Sequence, residues 1–326
     1  MSKIIKILSI DGGGIRGIIP ALILAEIEQR TQRNIADLFD LIVGTSTGGI
    51  IALGLTKPDA TGKPVYSAND LATLYRTKGD RIFVRSVLRR LTSLGNVADE
   101  KYDSKAIERF LQEYFGETQL KDALTNVLVT SYEIERRFPF FFKSERAQRD
   151  ESYNFPMWQV ARATTAAPTY FEPLSIEMEN DQDYYALIDG GVFANNPAMC
   201  GYVEAQRMYP DASDMIVVSL GTGNLTRRLS IDDAQNWGLL EWAQPILGIA
   251  FDGVSNTVDY QLQMLLPNNG IGSRYYRFQT RLDEENDDLD DIRPANLRVI
   301  QILAESIIRN NRAHIHELCE QLTTAV

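Results

Sequence analysis

The apolar run Leu41-Ile42-Val43 leads straight into Gly44-Thr45-Ser46-Thr47-Gly48, and Ile50, Ile51, Leu53 and Leu55 follow at once. Glycines around a serine remove the Cβ atoms that clash when a strand turns sharply into a helix, so the serine is pushed out at the top of a sheet. The pattern therefore demands a strand, a tight turn and a buried helix in direct succession, which is α/β architecture. G-x-S-x-G alone recurs by chance. In this context Ser46 is a candidate nucleophile, with Gly44 and Gly48 supporting its turn.

A serine nucleophile needs a base. The only two histidines are His314 and His316, in a polar stretch of a long C-terminal helix, and residues two apart do not share a helix face. A Ser-His-Asp triad is therefore disfavoured, which leaves a carboxylate or a lysine. The strongest carboxylate is Asp189, where the apolar run Tyr184-Tyr185-Ala186-Leu187-Ile188 ends in Asp189-Gly190-Gly191. Such an Asp also suits an Asx-turn or a helix cap before Asn195-Asn196-Pro197. Pairing with Ser46 favours the base.

The oxyanion candidate lies at the start, where the strand Lys6 to Ile10 runs into Asp11-Gly12-Gly13-Gly14-Ile15-Arg16-Gly17 ahead of a helix from Ile18. Consecutive glycines there leave backbone N–H groups facing a small concavity, with the positive end of a helix behind them. An oxyanion and a phosphate both suit that site. Gly12-x-Gly14-x-x-Gly17 also spells the dinucleotide fingerprint, which requires an acidic residue at the end of the second strand. That strand ends instead in Gly44-Thr45-Ser46, so a nucleotide-binding reading ranks second. No Gly-Lys-Ser/Thr follows either glycine cluster, so a Walker loop fails.

Four blocks, Asp11 to Gly17, Gly44 to Gly48, Ala161-Arg162-Ala163-Thr164-Thr165-Ala166-Ala167-Pro168-Thr169-Tyr170-Phe171 and Asp189 to Gly191, occur in the order and approximate spacing of the patatin-like phospholipases, which the chain resembles. The segments Val192 to Pro197 and Ser219 to Gly223 are similar to family segments too. The resemblance implies a Ser/Asp dyad acting on lipid acyl esters with no cofactor and no metal. By matching position Ser46 is the nucleophile, Asp189 the base and Gly12, Gly13 and Gly14 the oxyanion donors, with Arg16, Gly44, Gly48 and Gly190 in support. It also implies a phospholipid or other acyl-lipid substrate, cleaved in the manner of a phospholipase A or lysophospholipase. A catalytically silent or nucleotide-binding regulatory module on the same fold is the alternative. The chain departs from the family at Thr164-Thr165, where a serine usually precedes Ala-Ala-Pro; the hydroxyl survives, and the extra methyl narrows the expected pocket.

At 326 residues and 44% apolar content the chain can bury a large core. Strands expected at Lys6 to Ile10, Leu41 to Val43, Asn126 to Ser131, Tyr185 to Ile188 and Met215 to Leu220 alternate with helices. The expected fold is a three-layer α/β/α sandwich around a mostly parallel sheet. Residues 1–230 form the expected catalytic core, and residues 231–326 a mainly helical part packed on the same domain.

A net charge of −11 speaks against nucleic acid as a partner. Charge is uneven, however. Arg76, Lys78, Arg81, Arg85, Arg89 and Arg90 lie among fifteen residues with one acid, and Arg81, Arg85 and Arg89 repeat every four residues opposite Ile82, Phe83, Val87, Leu88 and Leu91. Such a basic amphipathic helix either rests peripherally on a membrane or packs on the core with a solvated Arg face. Seven acids between Asp283 and Asp291 lack EF-hand spacing and read as a solvated loop before a helix near Asn296 to Leu322. No signal peptide, membrane span or N-myristoyl signal is legible, and Cys200 and Cys319 give no disulfide framework. The expected location is cytoplasmic.

Overall fold

The computed structural model describes residues 4–82, 104–178, 183–225, 229–243, 245–266, 272–283, 286 and 288–324. Its sheet has eight strands: β1 (Ile4–Ile10), β2 (Leu41–Thr45), β3 (Asn126–Glu133), β4 (Phe138–Lys143), β5 (Leu174–Glu177), β6 (Tyr184–Asp189), β7 (Asp214–Leu220) and β8 (Tyr275–Phe278). The centre, β3-β2-β1-β7-β8, is parallel throughout, whereas β4 and β6 run antiparallel to β3 and β5 antiparallel to β6.

Period-two alternation along the central strands builds the two faces. Leu8, Ile10 and Ile42 join one buried cluster with the helices Ile18–Thr31 and Thr47–Thr56. Ile5, Ile7, Leu41 and Val43 point the other way, onto Ala198 and Ala205 of the helix Ala198–Met208 and Val258 and Leu262 of the helix Pro245–Leu265. The result is the expected three-layer α/β/α sandwich with a mostly parallel sheet. At the C-terminal end the helices Pro294–Asn310 and Arg312–Thr323 pack on Ile18–Thr31, and Ile300, Ile307 and Leu318 enter its core. No helix of the described residues is long and apolar enough to cross a membrane.

Three differences from the sequence reading have physical reasons. The strand at Tyr184 to Asp189 joins the sheet antiparallel, pairing with the far end of β3 where β2 has stopped. β4 escapes a propensity reading because Pro139 interrupts it, which a strand outside the parallel centre tolerates. β8 is a four-residue strand, Tyr275-Tyr276-Arg277-Phe278, inside a region that reads as helical.

Candidate active site

The register of β3 brings the candidate pair together. Thr45, the last residue of β2, pairs with Thr130, and Asp189, the last residue of β6, pairs with the next residue, Ser131. Since β4 runs along Leu128 to Glu133 on one edge of β3, β2 and β6 must share the other edge. They approach it from opposite directions, so their ends meet and the residues just beyond face each other.

At that meeting point Ser46 sits between β2 and the helix Thr47–Thr56 with φ 54° and ψ −124°, a conformation that a side chain adopts only under strain. The flanking glycines make it accessible. A Cβ on Gly44 would lie 2.3 Å from the Gly48 carbonyl oxygen, and one on Gly48 2.1 Å from that of Ile10. The Ser46 amide donates to Thr164 Oγ1 at 2.8 Å, and the Thr164 hydroxyl donates onward to the Thr130 carbonyl at 2.7 Å.

The Ser46 side chain faces the Asp189 carboxyl across the cavity floor, close enough to favour its charged form. Asp189 is buried, and its Oδ1 accepts the Gly191 amide at 2.7 Å. Burial disfavours the carboxylate and outweighs the lowering influence of Ser46 and the Gly191 amide, so the Asp189 pKa is pushed up to about 7. Gly190 permits this placement: a Cβ there would come 2.2 Å from Thr130 Oγ1.

The glycine-rich loop lies against the pair, with Gly12 packed beside the Ser46 side chain. Its amides are not equivalent. Gly12 donates its N–H to the Asn195 carbonyl at 2.9 Å, which corrects the expectation of three oxyanion donors. Among the described residues no acceptor takes the amides of Gly13 and Gly14, and both residues line the cavity. The loop is braced on several sides. Thr222 Oγ1 donates to the Gly12 carbonyl at 2.5 Å, Ile15 N donates to the Leu289 carbonyl at 2.8 Å, and buried Arg16 Nε donates to the Gly13 carbonyl at 3.2 Å. Just before the loop, Asp11 accepts both Nη atoms of Arg277 on β8, at 2.6 and 3.0 Å, in a buried ion pair.

Ser46, Asp189 and the loop form the floor of a cavity of about 380 Å³ walled by Ile50, Ile107, Pro168, Phe171, Ile249 and Leu289. Its lining is more apolar than polar, the composition of a site for an acyl chain beside a few polar groups. The extra methyl of Thr164 faces Gly49, away from the cavity, and it is Thr165 that lines the wall.

Other sequence candidates fall elsewhere. His314 and His316 are exposed on the helix Arg312–Thr323 and do not line the cavity. Arg81 ends the helix Ala68–Ile82 and pairs with Glu113 at 2.5 Å on the surface, while Arg85 and Arg89 lie outside the described residues. The acidic run keeps Asp283 and Asp288 exposed, as expected, and departs from the expectation of a solvated loop only at its end. Asp290 and Asp291 are buried, Asp291 is held bidentate by Arg293, and the Leu289 carbonyl braces the glycine loop. No group of three metal-ligating side chains occurs among the described residues.

Sequence reasoning missed Asn195, Thr222, Arg277 and Leu289 as braces of the loop. Only the first two stood inside a recognisable segment. Thr164 was legible as a motif residue but not as the acceptor for the nucleophile's own amide. Thr164→Val keeps the shape and strands that buried amide, so we expect a loss of about 1–3 kcal/mol in urea denaturation, whereas Thr164→Ser stays near parental. Parental stability in the valine variant would show that Ser46 is held by other means.

The family model for Patatin-like phospholipase matches residues 8–199. Patatin-like protein 4 of Arabidopsis thaliana is 32% identical over 95% of this chain and 84% of its own length, and Patatin-like protein 2 of Oryza sativa subsp. indica is 31% identical over 96% and 86%. A relative named Probable inactive patatin-3-Kuras 1, from Solanum tuberosum, is 30% identical over 95% of the chain and 88% of its own length. With the model covering more than half of its residues, the chain belongs to the patatin-like phospholipase family.

Proposed function

We propose that this protein is a serine lipid acyl hydrolase of the phospholipase A or lysophospholipase type, working through Ser46 and Asp189. The observation that carries the reading is the juxtaposition, set by the register of β3, of the strained Ser46 and a buried Asp189 in one cavity, where burial pushes the Asp189 pKa up to about 7. An ordinary aspartate near pKa 4 is a poor proton acceptor; one near 7 is matched to neutral pH.

In the proposed reaction Asp189 takes the hydroxyl proton as Ser46 Oγ attacks the ester carbonyl. The amides of Gly13 and Gly14 meet the oxyanion, a contribution of about 3 kcal/mol per donor. The tetrahedral species collapses with loss of the alcohol, which takes the proton from Asp189. Water, deprotonated by Asp189, then hydrolyses the acyl-enzyme and regenerates the pair. The residues supply nucleophile, base and oxyanion donors themselves.

Incubation with a fluorophosphonate probe tests the reading. Covalent modification at Ser46, together with fatty acid release from a total lipid extract, is the expected outcome. Folded protein that neither reacts with the probe nor releases fatty acid would show a silent member of the family.

A further inference from the structure

Leu229 and Ile249 line the cavity that holds Ser46 and Asp189, yet they remain 40% and 44% exposed, so they form its rim. The same stretch of chain exposes three further apolar side chains that do not line the cavity, Ile231, Leu239 and Ile246, at 69%, 92% and 49%. They are carried by the short helices Ile231–Ala234 and Leu239–Ala243 and by the first turn of the helix Pro245–Leu265. Half-buried Trp237 and Trp242 meet edge to face at 5.0 Å within the same stretch. The long helix packs on the turn Gly191–Ala194, which begins two residues after Asp189 and ties the patch to the catalytic floor.

We propose that this rim docks onto the surface of an uncharged or zwitterionic acyl-lipid layer and hands an acyl chain into the cavity, an inference that rests on the hydrolase reading above. Apolar side chains clustered in water mark an interaction surface, and tryptophans suit the boundary between head groups and acyl chains. Continuity selects lipid: Ile246 and Ile249 lie one turn apart on the same helix, and Ile249 shares the cavity lining with Leu229, Ile107 and Phe171, so an acyl chain leaving the layer stays in apolar surroundings. Charge selects the head group. Between Leu229 and Ser273 no Lys or Arg occurs, while exposed Asp232 and Glu241 sit on the two short helices that carry the patch, so this stretch offers an anionic surface no attraction; Arg227 and Arg228, just before it, lie outside the described residues. The same acids would face their own copies in a symmetric dimer through this patch.

Flotation with phosphatidylcholine vesicles, at low and high NaCl, tests the proposal on the full chain. The parent should float with the vesicles, and added salt should not release it, because screening acts on charges and not on apolar contact. The combined variant Ile231→Gln, Leu239→Gln, Ile246→Gln should partition on the order of a hundredfold more weakly. It should still hydrolyse a short soluble ester within about twofold of parental kcat/KM, since the reacting groups are untouched. Leu239→Gln alone, at a side chain too exposed to support the fold, should weaken partition by about tenfold.

Unchanged flotation of the combined variant overturns the docking face. So does binding that requires phosphatidylserine and is released by salt, which would give the role to the basic stretch around Arg81. A parental dimer in light scattering that the variant dissolves would make the patch a contact between copies instead. Because flotation needs no turnover, a parent that floats but cleaves no ester overturns the hydrolase reading and leaves the docking face standing.

Discussion

Ser46→Ala and Asp189→Asn should each lower kcat/KM on a short soluble ester by about 10⁴-fold or more, with urea denaturation showing a folded protein in both cases. The serine supplies the atom that forms the acyl-enzyme. The aspartate is the carboxylate that the sheet register sets against it. Groups that act as one unit lose their function together, so the double variant should be little worse than either single one. Additive losses would mean that Asp189 and Ser46 serve separate steps. His314→Ala and His316→Ala, at exposed positions outside the cavity, should stay within about twofold of the parent, as surface changes remote from the chemistry do. A histidine variant as inactive as Ser46→Ala would sink the dyad, and so would full activity in Asp189→Asn.

The parts of this site that could be read from the sequence are those set by local chemistry. A strand ending in Gly44-Thr45-Ser46-Thr47-Gly48 can form few structures other than the turn observed, and the steric demands on Gly44 and Gly48 show why. Asp189-Gly190-Gly191 is of the same kind, with Gly190 pressed against Thr130. What was not legible depends on long-range pairing. That Asp189 meets Ser46 follows from β2 and β6 sharing one edge of β3, which no local pattern encodes. The ion pair between Asp11 and Arg277 joins residues at opposite ends of the chain, and β8, which carries Arg277, is too short to show a period. The acidic run misled for a related reason. Composition reads the run as solvated, which holds for exposed Asp283 and Asp288, whereas at its end Asp290 and Asp291 are buried, Arg293 neutralises Asp291 and a main-chain carbonyl at Leu289 serves the glycine loop. Gly12 shows the limit of a motif, since three consecutive glycines offer three amides and tertiary contact takes one of them.

Raising the pKa of Asp189 has a cost in stability that Asp189→Asn should return. In the folded protein burial holds this carboxyl up to about 7, against an ordinary 3.8. Below both values the group is protonated in either state and contributes nothing. Between them the unfolded chain releases the proton and the folded chain keeps it, so stability falls as pH rises, and above about 7 the full difference, on the order of 4 kcal/mol, is lost. Asparagine has no charge to bury and can keep the Gly191 amide bond. Asp189→Asn should therefore be inactive yet more resistant to urea than the parent by a few kcal/mol at pH 8, with the gain falling below half by pH 5. The same titration governs turnover. Since the base must be unprotonated, kcat/KM of the parent on a soluble ester should climb about tenfold per pH unit and level off near 7. A parent whose activity is flat from pH 5 to 8, or an asparagine variant with no stability gain at high pH, would place Asp189 among ordinary carboxylates and remove it as the base.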